Sequence, residues 1–324
     1  MSADAPITVP ETARPPAAAA VGGRAAFARA PTPPGWQVWS ALWIVYLVWG
    51  STYLAIRVMV ETVPPLLGAG TRFAVAGAVL LLVLGLRLGW TAIRPTRGAL
   101  LGAGLVGLLL PGANAVVSVA EQHVPSSLAA LLIASIPLWV ILLRRLAGET
   151  ITRAGGVAVL VGFVGVALLV RPGPQSADAS IVGMLTCVAA AVMWASGSFA
   201  SSRVELPRHP LVSTGWQMLI GGIACLVAGL LAGEGPQVDP AAFSTRSLLA
   251  LAYLIVMGSW VAFSAYVWLL QNAPISKVAT YAYVNPVVAI VLGWLILSEV
   301  VAPVTIAGAA IIVAAVALAV RSER

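Results

Sequence analysis

Charged side chains are scarce in this chain. Asp, Glu, Lys and Arg account for 9% of the 324 residues, apolar residues account for 60%, and the mean hydropathy is +0.99. Since soluble domains carry about 25% charged residues, this composition excludes a soluble globular protein. We therefore expect an integral membrane protein.

Histidine and cysteine are almost absent, which argues against catalysis. The two histidines, His123 and His209, flank opposite faces of the predicted membrane protein. The chain has no His/Glu metal spacing, no phosphate-binding glycine loop and no nucleophile beside a plausible base. Cys187 and Cys225 fall within predicted helices and show no disulfide or metal-binding pattern. We expect no enzymatic activity, no metal, no cofactor and no built-in ATP motor.

Ten long apolar segments occupy most of the chain after residue 40. A hydrocarbon core of about 30 Å requires about 20 apolar residues in a helix. The segments that meet this requirement run roughly over residues 41–60, 66–86, 99–119, 126–145, 152–170, 181–201, 211–232, 247–269, 278–298 and 304–320. The sequence therefore predicts an all-α integral membrane protein with ten transmembrane helices in the lipid bilayer.

The second half of the chain repeats the first. The segment EQHVPSSLAALLIASIPLWVILLRRLAGET near residue 130 returns as LQNAPISKVATYAYVNPVVAIVLGWLILSEV near residue 280. Pro125 aligns with Pro274, and Pro137 with Pro286, at an offset of 149 residues. Each copy contains five predicted crossings, and an odd number of crossings places the second copy upside down relative to the first. We therefore predict two inverted five-helix repeats.

These repeats divide the chain into three parts. Residues 1–38 are rich in Pro and Ala, contain no apolar run long enough for a signal peptide, and are predicted to form a disordered cytoplasmic tail. The first repeat covers residues 39–171 and the second covers residues 181–321.

The basic residues lie mainly on one face of the predicted topology. Fourteen of the 18 Lys and Arg residues fall in the tail or in loops on that face, and only Arg171 and Arg246 fall in loops on the other. By the positive-inside rule, both termini are cytoplasmic. The net charge of +7 thus reflects membrane orientation, and we expect no nucleic-acid partner. The oligomeric state stays open.

The first two segments of each half also correspond. WIVYLVWGSTYLAIRVMVE and PPLLGAGTRFAVAGAVLLL are echoed by VMWASGSFASS and TGWQMLIGGIACL, so that Trp49 aligns with Trp194 and Arg72 with Gln217 at an offset of 145. Together with the proline-containing pair, this order of motifs over about residues 40 to 320 resembles the EamA-type branch of the drug/metabolite transporter superfamily. The resemblance implies a ten-helix basket that moves small metabolites, usually outward. It also implies a central cavity surrounded by segments 1 to 4 and 6 to 9.

One charged residue interrupts the second segment. Arg72 lies six residues into it, roughly 9 Å below the outer end at 1.5 Å per residue. An arginine inside a membrane usually lines a cavity or has a partner, because its charge costs about 2.5 to 3.5 kcal/mol there. It is a candidate ligand for a substrate carboxylate. Alternatively, it extends to the headgroups or holds neighbouring carbonyls. Its counterpart Gln217 is neutral, so a cationic site would be one-sided.

Prolines and polar aromatic residues supply the other site candidates. Pro137 and Pro286 interrupt the fourth and ninth segments, which predicts kinks with a gating or cavity role, or kinks that only shape packing. A mostly apolar pocket with a few polar groups suits a small amphipathic solute, although many such groups serve helix packing. The candidates for substrate binding, in addition to Arg72, are Trp49, Asn114, Trp194, Trp260 and Tyr283.

No carboxylate lies near the midpoint of any predicted span. Glu149 and Glu299 follow the fourth and ninth segments, and we expect each to cap the next helix. Ser298 stands before Glu299 where the family pattern has glycine, which leaves the turn there undefined. Glu61 and Glu121 lie close to outer helix ends, so a buried proton-carrying acid is not evident. Facilitated efflux, exchange and proton coupling through rim groups all stay open.

These features predict a secondary transporter in the cytoplasmic membrane. We expect it to export a small organic metabolite, amino-acid-like or drug-like and amphipathic, by alternating access between its two halves. The alternatives are a membrane scaffold or receptor without transport, and an importer of the same fold. A scaffold does not require two mirrored intramembrane prolines and a belt of polar groups, which favours the transporter.

Overall fold

The computed structural model describes residues 34–170, 180–273, 275–278 and 280–322, and all regular structure within these residues is helical. Thirteen α-helices follow one another along this part of the chain. They are α1 (Gly35–Met59), α2 (Pro65–Leu88), α3 (Arg97–Ala120), α4 (Ser126–Ile133), α5 (Ile136–Leu146), α6 (Arg153–Val170), α7 (Ile181–Ser201), α8 (Pro210–Leu231), α9 (Thr245–Tyr253), α10 (Ala262–Asn272), α11 (Ile275–Val278), α12 (Tyr281–Leu297) and α13 (Pro303–Ser322).

Two predicted crossings are built from more than one helix. Helices α4 and α5 together span Ser126–Leu146, and α9 and α10 are joined by a π-helical stretch, Leu254–Val261, into a second composite span. In the described part of the chain, nine spans are long and apolar enough to cross a membrane, and α12 adds a shorter apolar helix. This arrangement agrees with the prediction of ten transmembrane helices.

The first helix begins earlier than the sequence suggested. Helix α1 starts at Gly35, six residues before the predicted residue 41, and directly follows Pro34. Residues 1–33 of the predicted tail lie outside the described residues, and the prediction was wrong for its last residues, Gly35 to Val38, which belong to α1.

Proline and glycine explain many of the helix boundaries. Pro65, Pro210 and Pro303 occupy first helical positions, where the missing N–H removes no hydrogen bond. Gly148 follows α5 with a φ of 85°, a conformation that terminates a helix at little cost only for residues without Cβ.

Close backbone packing joins the two halves at their second helices. Helices α2 and α8 pack against each other along their length. A Cβ atom at Gly77 would collide with the backbone of Leu219, and one at Gly222 would collide with the backbone of Ala74. Small residues therefore allow the helices to approach closely, as is common between membrane helices.

Several of the other helix contacts are symmetric between the halves. The contact of α3 with α7 corresponds to the contact of α1 with α9 and α10. The contact of α5 with α7 corresponds to the contact of α12 with α1. Helices α6 and α13 pack against each other. Each contact in this set has its counterpart when the first five crossings are exchanged with the second five.

Carboxylates tie helix ends together across the two halves. Glu234, after α8, accepts hydrogen bonds from the backbone N–H groups of Leu66 and Leu67 at 3.0 and 2.8 Å, and so caps α2. Glu299, after α12, accepts bonds from the backbone N–H and the hydroxyl group of both Ser126 and Ser127, and so caps α4. In each case the negative charge lies at the positive end of a helix dipole.

The expectation that Glu149 and Glu299 each cap the next helix was wrong. Glu299 caps α4 in the other half instead of the following helix α13. Glu149 forms ion pairs with Arg144, at 2.7 Å, and Arg203. Its hydrogen bond from Arg144 and the charges of both arginines lower the pKa of Glu149 below its usual value. The two glutamates align in sequence, but their carboxylates bind different groups: serine donors at Glu299 and arginine side chains at Glu149.

Candidate functional site

A cavity of about 180 Å³ lies between the two halves. Its walls come from α1, α2, α3, α4, α5, α7, α8, the π-helical stretch, α10 and α12. None of the lining residues among those described belongs to α6 or α13, as the family resemblance implies for the fifth and tenth crossings. No group of three His, Cys, Asp or Glu residues in the described ranges is arranged to hold a metal ion.

Six of the eight candidate residues line this cavity. These are Trp49, Arg72, Asn114, Pro137, Trp194 and Pro286. The structure thus brings together candidates that lie as far apart in sequence as α1 and α12.

The other two candidates point elsewhere. The indole N–H of Trp260 donates to the carbonyl oxygen of Ala76 at 3.0 Å, so this side chain packs against the middle of α2. Tyr283 packs against the large apolar cluster around α4 and α6. Its neighbours Tyr281 and Asn285 line the cavity, and a step of two residues turns a helix by about 200°. Tyr283 therefore lies on the opposite face of α12.

Arg72 is buried in the wall of the cavity, with 6% of its surface exposed. Its Nε–H donates to the hydroxyl oxygen of Ser259 at 3.1 Å. Within the described residues, the guanidinium group forms no ion pair with a carboxylate. The positive charge is thus held in the cavity wall by a neutral neighbour, and its other N–H groups donate to no described residue.

The π-helical stretch creates the place for this guanidinium group. The Ser259 hydroxyl donates to the carbonyl oxygen of Leu254, five residues earlier, at 3.1 Å. A Cβ atom at Gly258 would lie 3.0 Å from Nη2 of Arg72 and 3.2 Å from Cγ2 of Thr52. Glycine therefore allows the backbone to approach Arg72 closely, and the irregular helix faces a cavity, where such backbone is tolerated in membranes.

Aromatic rings form a second part of the wall, centred on Trp49. The ring centroids of Tyr266 and Tyr281 lie 5.0 and 5.4 Å from that of Trp49, and the ring of Phe263 lies 6.3 Å away. The indole N–H of Trp49 donates to the carbonyl oxygen of Gly258 at 3.2 Å. This hydrogen bond links the aromatic cluster to the segment that holds Arg72.

Several lining residues were not among the candidates. Asn285 is 8% exposed, and its side-chain oxygen accepts no hydrogen bond from any described residue. Thr52, Tyr53 and Tyr281 also line the cavity. Each stands within a few residues of a candidate in a polar stretch of its helix. The sequence thus pointed to the right segments, while the helix face that meets the cavity depends on packing.

The two proline-containing crossings differ in helix geometry at the aligned prolines. In the first half, α4 ends at Ile133 and α5 begins at Ile136, so the interruption directly precedes Pro137. In the second half, Pro286 lies inside the continuous helix α12, six residues into the helix that begins at Tyr281. Pro274, the counterpart of Pro125, lies outside the described residues. The alignment of the prolines therefore did not predict equal helix geometry.

Fold and cavity together define a class of protein. A bundle of membrane-spanning helices, with a largely apolar chamber between its halves and a few polar groups in its wall, has the architecture of a secondary transporter.

The comparison with known proteins identifies the family. The sequence matches the EamA-like transporter family over residues 38–171 and again over residues 181–321. The chain belongs to this family, within the drug/metabolite transporter superfamily. It is a multi-pass inner membrane transporter and not an enzyme.

Two relatives and one solved structure show the extent of the likeness. The chain is 38% identical over 258 residues to the uncharacterized inner membrane transporter YedA of Escherichia coli K12, which covers 79% of this chain and 81% of YedA. It is 27% identical over 300 residues to the chloroplastic WAT1-related protein At3g02690 of Arabidopsis thaliana, covering 86% and 68%. A solved crystal structure superposes with a TM-score of 0.59 at 23% identity, covering 88% of this chain and 99% of the other.

Proposed function

We propose that this transporter exports a small amphipathic organic solute that carries a carboxylate, such as an amino acid. Arg72 supports this proposal most directly, because it is a buried cation in the cavity wall without an acidic partner among the described residues. A carboxylate accepts two parallel hydrogen bonds from a guanidinium group and supplies the missing negative charge. The aromatic cluster around Trp49 then faces the apolar part of the solute.

The size of the cavity supports a metabolite of modest dimensions. An apolar cavity of about 150 Å³ holds one benzene molecule. The volume of about 180 Å³ is therefore suited to a solute with roughly the bulk of an apolar amino acid. Asn285 offers an unpaired side-chain oxygen that would accept a hydrogen bond from an amino group.

The proposed mechanism is alternating access between two inverted halves. The exchange symmetry of the helix contacts supports the inversion. Contacts between loops support the predicted order of crossings, and the cytoplasmic location of both termini rests on the positive-inside rule. Glu61 pairs with Arg246 at 3.8 Å on the predicted outer face, and Thr96 donates to Glu205 at 2.7 Å on the inner face. The outward direction of transport rests on the family resemblance.

A thermal-shift comparison tests the proposed substrate class. Purified protein is heated with a panel of amino acids, with the matching amino-acid amides, and with amines that carry no acid. We expect stabilisation by at least one amino acid and not by its amide, because only the acid pairs with Arg72. Compounds that stabilise the protein are then tested for exchange flux in proteoliposomes.

The substitution Arg72→Gln tests the role of the guanidinium group, because glutamine is the residue at the aligned position of the second half, Gln217. It should weaken binding of the stabilising acid by about 10- to 100-fold, since a charge-assisted hydrogen bond contributes about 1.5 to 3 kcal/mol. Arg87→Gln, an exposed arginine on the same helix, is the matched control and should bind normally. Equal stabilisation by acids and amides, or by cations, would contradict the proposal.

A further inference from the structure

Glu121 is a fully buried carboxyl group outside the proposed substrate site. It follows α3 in the loop to α4, and 0% of its surface is exposed. Neither Oε1 nor Oε2 accepts a hydrogen bond from any described residue. The sequence places this residue at an outer helix end and indicates no buried acid, and the structure corrects that interpretation.

The groups around Glu121 leave its side chain without a partner. From α1, Arg57 donates to the main-chain carbonyl oxygen of Glu121 instead of its carboxyl group. The carboxylate of Glu299, which follows α12, already accepts four hydrogen bonds from Ser126 and Ser127. Tyr53 of α1 and Cys187 of α7 lie close enough to Glu121 to interact with it electrostatically. Arg57 thus forms its hydrogen bond with the main chain of Glu121 and not with the carboxyl group.

This environment favours the protonated form of Glu121. A charged carboxylate that is buried without hydrogen bonds costs several kcal/mol, and protonation removes that cost. Burial raises the pKa of Glu121 well above its usual value, the negative charge of Glu299 acts in the same direction, and Arg57 opposes both.

The fold itself gives no reason for an acid at this position. At the offset of 149 residues, the counterpart of Glu121 in the second half is Leu270. Leu270 lies in the last turn of α10 and is 43% exposed, so the repeat does not require an acid at this position. The carboxyl group also lies next to the cavity, since Val117, one helical turn earlier, and Tyr53 both line it.

We propose that Glu121 binds and releases the proton that drives transport. This proposal rests on the proposed function as a carrier. In the described conformation the carboxyl group is enclosed, and in the proposed cycle it holds its proton there. When the outer ends of α1, α3 and α4 separate, the group meets water and exchanges its proton with the outer solution. The reaction is the simple equilibrium between a carboxylic acid and a carboxylate plus one proton.

The protonation state is tested first, without any solute. The melting temperature of wild-type protein and of Glu121→Gln is followed from pH 5 to pH 9. An unfolded glutamate has a pKa of about 4.3, and the folded pKa is higher, so the folded state holds more protons between the two values. Wild-type stability should therefore fall relative to Glu121→Gln as the pH rises.

Glu61→Gln is the matched control for this titration. The Glu61 side chain is 40% exposed at the same face and pairs only loosely with Arg246. Its melting curve should follow that of the wild type at every pH. Parallel curves for wild type and Glu121→Gln would overturn the proposal, because they would show that Glu121 does not titrate differently in the folded state.

Coupling is tested in proteoliposomes with the amino acid that shows exchange flux in the wild type. With the membrane potential clamped at zero, a gradient of one pH unit supports up to about tenfold accumulation if one proton moves per solute. We expect this accumulation in the wild type and none in Glu121→Gln, while exchange persists in both. If the Gln variant does not fold, Glu121→Leu, which copies Leu270, takes its place.

The outcomes separate this proposal from the proposed function. Exchange without accumulation in the wild type, or full accumulation in a Glu121 variant, overturns proton coupling by this residue and leaves the carrier function intact. Absence of any exchange in the wild type with the whole amino-acid panel overturns the proposed function, and the coupling proposal falls with it.

Discussion

At the scale of single residues, the membrane interior gives unusual weight to a few charged groups. Arg72 and Glu121 are both buried, yet neither side chain forms an ion pair among the described residues. Glu299, in contrast, has its carboxylate satisfied by four donors. Arg72 and Glu121 are therefore suited to bind a partner that comes and goes, a solute or a proton. Glu299 is suited to stabilise the fold.

Glu299→Gln should destabilise the protein. An amide has one accepting oxygen, so two of the four donors on Ser126 and Ser127 lose their acceptor, and the negative charge at the start of α4 is also lost. We expect a loss of about 2 kcal/mol, measured as a lower midpoint of thermal or denaturant unfolding. Glu149→Gln, at an exposed ion pair, is the control and should melt close to the wild type. Equal effects of the two substitutions would contradict this assignment.

The sequence predicts the buried charge of Arg72 but misses that of Glu121. A charge six residues into an apolar segment is visible from hydropathy alone. A charge just beyond a helix end looks like a solvent-exposed group, and its burial follows from the packing of α1, α7 and the segment after α12 around it. The partners of Glu299 are equally hidden, because they lie 172 and 173 residues away in the chain.

At the scale of helices, the turn that ends α12 places a non-glycine residue, Ser298, in a strained backbone conformation. Ser298 adopts a φ of 55° and a ψ of 31°, the left-handed conformation that Gly148 provides after the first proline-containing crossing with a φ of 85°. Left-handed backbone costs roughly 1 kcal/mol or more for a residue with Cβ. Ser298 thus replaces the glycine of the family pattern, while the backbone keeps the left-handed turn.

Replacing Ser298 by glycine should therefore stabilise the protein. We expect a gain of about 0.5 to 1 kcal/mol, reduced from the full strain because glycine also has more freedom in the unfolded chain. Gly148→Ala, the reverse change at the aligned position, should destabilise by a similar amount. Unfolding midpoints of the two variants measure both effects, and a lower midpoint for Ser298→Gly would show that the serine is not strained.

Helix number and order were predictable, and helix interruptions were only partly so. Proline removes a backbone donor, but it does not by itself mark an irregular crossing, because Pro111 and Pro286 lie within the continuous helices α3 and α12. Where the helix breaks also depends on neighbouring helices, so α5 starts immediately before Pro137 whereas Pro286 lies within α12. The π-helical stretch Leu254–Val261 has no proline at all, and nothing in its sequence predicted it.

At the scale of the whole molecule, two halves of similar packing enclose one chamber. The peripheral pair α6 and α13 and the central pair α2 and α8 connect the halves, and the chamber wall takes residues from both. Apolar periodicity and internal repetition were sufficient to predict this architecture. They were not sufficient to predict which face of each helix meets the chamber, as Tyr283 and Trp260 show.

The carrier mechanism predicts that the chamber opens to each side of the membrane in turn. A single cysteine at Ala134, a small buried residue of the chamber wall, reports this opening in protein whose Cys187 and Cys225 are replaced by alanine. A membrane-impermeant thiol reagent is added from the outer or the inner side. A cysteine at Ala315 in α13, buried away from the chamber, is the control and should stay unlabelled.

Labelling of Ala134→Cys from both sides, slowed by the amino acid that the protein exchanges, is the result that alternating access predicts. Labelling from one side only, or equal labelling of Ala134→Cys and Ala315→Cys, would contradict it. Either result would mean that the chamber between the two halves is not a passage for solute.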